Sequence, residues 1–588
     1  MAEATRQAID LTLRWPDGAG RTLSKLASPR VDSDRCINCG TCLEVCPTGA
    51  IREMQRQICR LCPDCAQGPI MFPEEMLRLA SRSCAAACPI GHYPEGYVNM
   101  IARGDWEGAW KLVDAVNPLP GVLGRICSRP CEEECKRGAL IDRSLPIRAM
   151  KREIASWAYE HGMASARAYR RNIDMRVAVV GAGPAGLTAA SDLASFGYRV
   201  TVFEAGPAPG GMLRLAVPAF RLPDEVWERE FARALSGGIE VVCGACVGTS
   251  PSLRELLDDG FKAVVLATGA TRGRKLDIPG SGFQGVYNAL DFMASVKSGK
   301  PLEVGERVVV VGGGSVATDA ARTALRKGAL EVNMVCIEQE REVPALAWEM
   351  EEARREGIGL IAGYAPLRIT SSWMKAEAIE LARVERICCD DAGRLTTELD
   401  DSTTMTLPVD TVVFAVGQAV DAAQLKRMGL ETTPAGALRF DPETASTSLP
   451  GIFAAGDLVN RQGSVVEAMS SGRTAARSVD AYLSGRSYAR KAASPSRAPL
   501  EEKIFPVRLE KAEPLRLPHL ETREALASFR EVDLPPGRER LEEDARRCMR
   551  CGYIEVDHDL CLGCGICRET CPAGDVLTMG APVAGGER

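Results

Sequence analysis

Two twelve-residue runs of one pattern stand near opposite ends of this chain: CINCGTCLEVCP from Cys36 to Pro47, and CLGCGICRETCP from Cys561 to Pro572. In such a run the cysteines two residues apart (Cys36, Cys39, Cys42 and Cys561, Cys564, Cys567) bend round one corner of an iron–sulfur cube. The fourth, before proline (Cys46 and Cys571), reaches a neighbouring cluster. Whatever else the chain does, it must fold around inorganic centres at both ends. Of its 23 cysteines, twelve lie between Cys36 and Cys135 and six between Cys548 and Cys571. A disulfide framework is the usual rival, but it belongs to small secreted chains. This chain has 588 residues and opens MAEATRQAID, without the basic-then-apolar stretch of a secretory signal. Ligation in a reducing cytoplasm is therefore expected. Zinc competes wherever CxxC pairs occur, most of all at the less typical run Cys59, Cys62, Cys65. The other five cysteines (Cys243, Cys246, Cys336, Cys388, Cys389) read as buried packing thiols.

A net charge of −6 argues against nucleic acid or an anionic membrane surface as the main partner. No run of about 18 apolar residues predicts membrane insertion. From Met175 to about Leu483, β runs (RVAVV, RVTVFE, KAVVLATG, RVVVVGGG, EVNMVCI, DTVVFAVG) alternate with helical patterns, the signal of α/β architecture with parallel sheets. From about Ser487 to Pro536 proline and charge rise and apolar periodicity fades, which reads as a tether packed over a surface or as a flexible linker.

Two of the β runs end in glycine turns. Gly181-Ala-Gly183-Pro-Ala-Gly186 follows RVAVV and opens a helix, and the next strand ends at Glu204, 18 residues after Gly186. The first glycine permits the tight turn, the second lets backbone approach a pyrophosphate, and the third lets helix pack on strand. The helix N-terminus offers free N–H groups to phosphates, and Glu204 is placed to accept from ribose hydroxyls. Gly312-Gly-Gly314-Ser315-Val-Ala317 repeats the device after RVVVV, with Glu338 21 residues beyond Ala317. An acid there favours a free 2′-hydroxyl and hence NAD(H). Arg341 stands near enough to leave NADP(H) open.

Further motifs agree in order with these: Gly210-Gly211-Met212-Leu213 with VPAFRLP, Ala267-Thr268-Gly269, Asp319-Ala-Ala-Arg322, Ala415-Val-Gly417-Gln418, and Gly451-Ile-Phe-Ala-Ala-Gly456-Asp457. Over residues 84–482 the chain resembles the small subunit of glutamate synthase and its relatives, including the N-terminal half of dihydropyrimidine dehydrogenase and the NADPH-binding subunit of bifurcating transhydrogenases. The resemblance implies FAD on the first fold and a nicotinamide nucleotide on a second fold inserted into it, as in glutathione reductase. It also implies that Asp457 meets the flavin ribityl-phosphate region, and that the helix after it lies near the isoalloxazine. Two departures stand out. Ile337 and Glu338 occupy places where NADPH-using relatives often carry a basic pair, and Ser315 stands where Asn is common.

The resemblance extends to a helical cluster domain, through Cys84-x3-Cys88-Pro89 and Cys127-Ser-Arg-Pro-Cys131-Glu-Glu-Glu-Cys135. Relatives carry two more cysteines just before the Cys84 position; here those places hold Met76 and Leu79. The sequence EDARRCMRC, at Cys548 and Cys551, resembles the lead-in to that missing pair. A relocated pair is therefore expected to complete a cluster with Cys84 and Cys135. The other cluster would use Cys88, Cys127 and Cys131, and its fourth place falls on Lys151, a poor ligand when protonated.

The expected organisation is a multidomain α/β protein. It comprises a ferredoxin-like cysteine module (1–70), a helical iron–sulfur domain (71–172), a FAD-binding domain in two parts (173–303 and 410–486) around a Rossmann-like NAD(P)-binding domain (304–409), a linker (487–545) and a C-terminal ferredoxin-like module (546–588). Four to five [4Fe–4S] clusters are expected. The parts imply a cytoplasmic oxidoreductase that moves electrons between nicotinamide, FAD and clusters, and exchanges them with a catalytic subunit or a ferredoxin in a hetero-oligomeric complex. The rival reading is a non-catalytic conduit with a vestigial nicotinamide site.

Overall fold

The computed structural model describes residues 28–32, 35–46, 50–55, 84–165, 172–389, 395–460, 463–486, 512–556, 566–572 and 576–580, with a few isolated residues and short strand pairs besides. Cys59, Cys62, Cys65, Cys561 and Cys564 lie outside the described residues.

The valine-rich runs form two parallel five-stranded sheets. Such strands are covered on both faces, so they read as near-continuous apolar runs. The first sheet runs in the order Ile452–Ala454, Phe261–Leu266, Arg176–Val180, Arg199–Glu204, Glu240–Cys243. Helices Pro184–Ser195 and Val465–Leu483 meet beside it almost backbone to backbone. A Cβ on Gly472 would stand 2.1 Å from the Ala185 carbonyl oxygen. The second sheet runs Val286–Asn288, Thr411–Phe414, Arg307–Val311, Glu331–Cys336, Gly359–Ala362. Its two outermost strands in sequence correct the expected domain limits. Val286–Asn288 pairs with Thr411–Phe414, which pairs with Arg307–Val311, so boundaries at 303/304 and 409/410 would cut the sheet. A three-stranded antiparallel sheet, Tyr364–Ser372, Lys375–Cys389 and Leu395–Pro408, is appended to it.

Helices Pro94–Ala102, Trp106–Val116, Pro120–Ile126 and Ile147–Glu160 form the expected helical domain. Residues 512–545 pack against it, as a tether laid over a surface does. Leu541 and Ala545 of helix Arg538–Ala545 are fully buried in its core, and Trp106 Nε1 donates to Glu542 Oε1 at 2.7 Å. Earlier in the same segment, the Val532 amide donates to the Phe220 carbonyl of the first nucleotide fold.

The two ends of the chain meet. Strand Ser28–Val31 pairs antiparallel with Leu577–Gly580, and Ile51–Gln55 pairs antiparallel with Gly552–Val556. Helices Thr41–Val45 and Ile566–Glu569 lie against one another, and Ile51, Ile554, Val576 and Leu577 share one small core with Cys36, Cys42 and Cys567. The segments expected as separate modules, 1–70 and 546–588, thus contribute two halves of one folded unit, with nearly the whole chain inserted between them.

Candidate functional site: two nucleotide turns and a line of thiols

Both glycine turns close the same way. A Cβ on Gly181 (φ +103°) would lie 2.3 Å from the Ala267 carbonyl oxygen, and one on Gly312 (φ +137°) 2.4 Å from that of Ala415. Each turn is pressed against the end of the adjacent strand, so only glycine fits. Gly183 and Gly314 are the N-caps of helices Pro184–Ser195 and Ser315–Arg326, whose first amides are the ones an anion would meet. Gly186 and Ala317 pack inward, as the third position requires. Glu204 accepts from the Ala182 amide at 2.8 Å and the Gly206 amide at 2.7 Å, which pins its carboxylate beside the first turn. Glu338 takes the corresponding place in the second fold: a side chain on Gly313 would come 3.2 Å from its Oε2.

The remaining predicted nucleotide residues distribute over both folds. Gly211 approaches Gly183, with its Cβ position 2.8 Å from the Gly183 Cα, and Met212 begins the short helix that follows. Thr268 and Gly269 follow strand Phe261–Leu266. Gly417 lies just beyond the inner strand Thr411–Phe414, immediately before the short strand Gln418–Ala419. Gly456 (φ +71°) turns the chain after Ile452–Ala454 and donates its amide to Ser471 Oγ at 3.0 Å. Next to it Asp457 keeps Oδ1 buried with no hydrogen-bond partner. Burial, with Glu467 nearby, pushes its carboxyl up to about 6. An orphaned acceptor at the mouth of a glycine turn fits a ligand rich in hydroxyl donors, as FAD is.

The cysteines gather in groups. Cys36, Cys39, Cys42 and Cys571 line one cavity with Ile37, Ile554 and Val576, so a residue from the C-terminal half completes a set from the N-terminal half. Cys46 and Cys567 adjoin the same core. Cys84, Cys135, Cys548 and Cys551 form a second group: Cys84 feels the other three thiols, and Cys548 feels Cys551 and Cys135. Burial and that crowding push these two thiols well up. Cys88, Cys127 and Cys131 form a third group around Lys151. Buried thiols crowded in fours resist losing their protons, and a coordinated metal is what removes them.

The groups are contiguous. The third group abuts the first nucleotide fold. Ile90, Leu123 and Cys127 share a core with Leu187, Leu213, Val466 and Met469, and Arg473 of helix Val465–Leu483 donates to the Ile90 carbonyl at 2.7 Å. The second group touches the first through residues the sequence did not single out. Buried Glu95 accepts from the Gly552 amide at 3.0 Å and from Asn38 Nδ2 at 3.4 Å, and Asn99 Nδ2 points to Cys548 Sγ at 3.8 Å. Arg550 donates to the Cys36 carbonyl at 2.7 Å. These residues carry no motif; only their clustering round thiols in space marks them. Cys336 is buried as expected, but Cys388 is half-buried and Cys243 and Cys246 are exposed: Cys243 ends the edge strand Glu240–Cys243, and Cys246 lies in the turn that follows it.

Paired nucleotide folds joined to cysteine-lined sites define an iron–sulfur flavoprotein of the pyridine-nucleotide reductase class. The sequence profile described as pyridine nucleotide-disulphide oxidoreductase matches residues 175–472, and the chain belongs to that family. The profile of dihydropyrimidine dehydrogenase domain II, 4Fe-4S cluster, matches residues 76–163, and that of the 4Fe-4S binding domain matches 29–52 and 554–575. Among relatives, the NADP(+)-dependent formate dehydrogenase subunit beta of Moorella thermoacetica is 34% identical, over 68% of this chain and 60% of its own length. The glutamate synthase [NADPH] small chain of Azospirillum brasilense is 31% identical, over 69% of this chain and 87% of its own. The NAD-dependent dihydropyrimidine dehydrogenase subunit PreT homolog of Salmonella typhi is 30% identical, over 74% and 95%. Among the described residues no helix is long and apolar enough to cross a membrane.

Proposed function

We propose that this chain is the nicotinamide-oxidising, electron-distributing subunit of a multi-subunit oxidoreductase, with NADH as its nucleotide. The relatives are named as subunits or chains of formate dehydrogenase, glutamate synthase and dihydropyrimidine dehydrogenase. FAD, when bound, exchanges a hydride's two electrons with one-electron carriers such as [4Fe–4S] clusters. The chain's own residues supply placement. Gly312, Gly314, Ser315 and Ala317 form the nicotinamide-nucleotide turn, and Gly181, Gly183, Gly186 and Asp457 hold the flavin.

Four cluster sites are assigned: Cys88, Cys127 and Cys131 beside the flavin fold; Cys84, Cys135, Cys548 and Cys551; Cys36, Cys39, Cys42 and Cys571; and, by the sequence pattern, Cys46 with Cys561, Cys564 and Cys567. The fourth-cysteine exchange at the last two sites is the ferredoxin rule. The carrying observation is the unbroken contact from helix Val465–Leu483, through the third and second thiol groups, to the joined chain ends. It favours a relay whose outlet, to a catalytic subunit or a ferredoxin, is the terminal unit. NADH is preferred because Glu338 stands at the second turn as Glu204 does at the first, where it would repel a 2′-phosphate. The test is anaerobic mixing with each nucleotide. NADH should bleach the flavin absorbance at micromolar concentration and NADPH should not; a flavin left unchanged by both would refute the reading.

A further inference from the structure

The thiol group beside the flavin fold has no fourth cysteine among the described residues. What faces Cys88, Cys127 and Cys131 instead is Lys151, 3% exposed, on helix Ile147–Glu160. Its ammonium has no carboxylate within ion-pair distance among the described residues. The nearest acid, Glu132, is engaged elsewhere: its Oε1 accepts from the Arg148 amide at 2.7 Å and its Oε2 faces Arg129 at 3.6 Å. A buried ammonium calls for a counter-charge, and the described residues place no carboxylate there to supply it. Two more polar groups in the same neighbourhood are buried and unsatisfied. They are the Tyr97 hydroxyl, which faces all three thiols, and both ring nitrogens of His92, whose ring lies edge-on to Tyr97.

We propose that Lys151 is the counter-charge of a three-cysteine [4Fe–4S] site next to the flavin, and that it holds this site's reduction potential above what burial among thiolates alone would give. The inference rests on the cluster assignment above. A cation in a low-dielectric surround favours the form of the cluster carrying one more electron. Net charge and hydrogen bonds to sulfur are the levers that set cluster potentials. A site with three thiolates also carries one negative charge fewer than a site with four. Both effects make the first relay a ready acceptor for electrons leaving the flavin.

The test uses the full-length protein, purified anaerobically, with redox titrations followed by electron paramagnetic resonance. Cys127→Ser identifies the signal of this site, because the site should lose that signal alone. In Lys151→Met and Lys151→Gln the midpoint of that signal is expected to move to more negative potential, with iron and acid-labile sulfide unchanged. Lys151→Arg, which keeps the charge, should stay near the native value. An unmoved midpoint in both uncharged variants overturns the proposal. So does loss of one cluster's iron in Lys151→Arg as well as Lys151→Met, which would make the lysine a ligand. If Cys127→Ser leaves every signal and the iron content intact, the cluster assignment itself is what fails.

Discussion

An acceptor without a donor, buried where a cofactor belongs, has measurable consequences. Asp457 is such a residue, with its carboxyl raised to about 6 by burial and by Glu467. Hydroxyl donors from FAD stabilise the ionised form, so binding lowers this value. The sign then follows: as pH falls through 6, the free protein takes up a proton that binding must expel. FAD affinity should weaken by about tenfold per pH unit below 6, and Asp457→Asn should bind more weakly at pH 8 but lose that dependence. Titration of the flavin-free protein with FAD by fluorescence quenching checks both. Glu338→Ala should raise the KM for NADH about tenfold, the worth of a hydrogen bond to a charged group, and narrow the gap to NADPH. An unchanged gap would shift the discrimination to another residue such as Arg341. At this scale the glycines and their acids were readable from sequence because each role is local: turn, cap and strand end lie within about twenty residues. Tyr97 and Glu95 were not readable as site residues in the same way, and Lys151 was reached only through the family resemblance. Their significance comes from thiols that fold beside them, and a lysine or tyrosine on a helix normally means a solvated or packed face.

Between elements, the contact that joins the helical domain to the flavin fold is a borrowed cap. Glu230, on helix Asp224–Leu235, accepts from the first amides of helix Pro120–Ile126, Gly121 at 2.5 Å and Val122 at 2.9 Å. Those amides have no partner within their own helix. Glu230→Ala should destabilise the protein by about 2 kcal/mol, the cost of leaving buried donors unsatisfied. Burial raises the Glu230 carboxyl from 4.5 to about 7. Its folded value lies above its unfolded one, so the associated stability is present below 4.5 and is lost as pH rises to 7. The urea midpoint difference between wild type and Glu230→Ala should therefore be larger at pH 5 than at pH 8. An equal difference at both would mean that Glu230 ionises normally. Long apolar strands were legible because a buried parallel strand leaves an unbroken run. Val286–Asn288 was not: three residues leave no run, so the inserted fold was cut short in sequence.

At the scale of the whole molecule, the termini are one object. The matching runs were plain in sequence, but repetition alone does not say whether two half-units stand apart or join; only strand register decides, and register is long-range information. The register here puts Cys571 in the cavity of Cys36, Cys39 and Cys42. In chain order the nucleotide folds thus lie between the two halves of that unit, which is the outlet proposed above. Helix Arg538–Ala545 has to seat on the helical domain before Cys548 and Cys551 can reach Cys84 and Cys135. Damage at the C-terminus should therefore remove clusters nominally held at the N-terminus while sparing the nucleotide folds. Cys571→Ala should lower the iron content by about one cluster, about four atoms, and abolish a signal that Cys39→Ala also abolishes. Leu541→Asp should unseat the helix and cost the Cys84 site as well. In both variants NADH should still bleach the flavin at the native rate, while reduction of an external one-electron protein acceptor falls at least tenfold. Were Cys571→Ala to keep its full iron and pass electrons outward normally, the two ends would be separate modules after all, and the outlet would have to lie elsewhere on the chain.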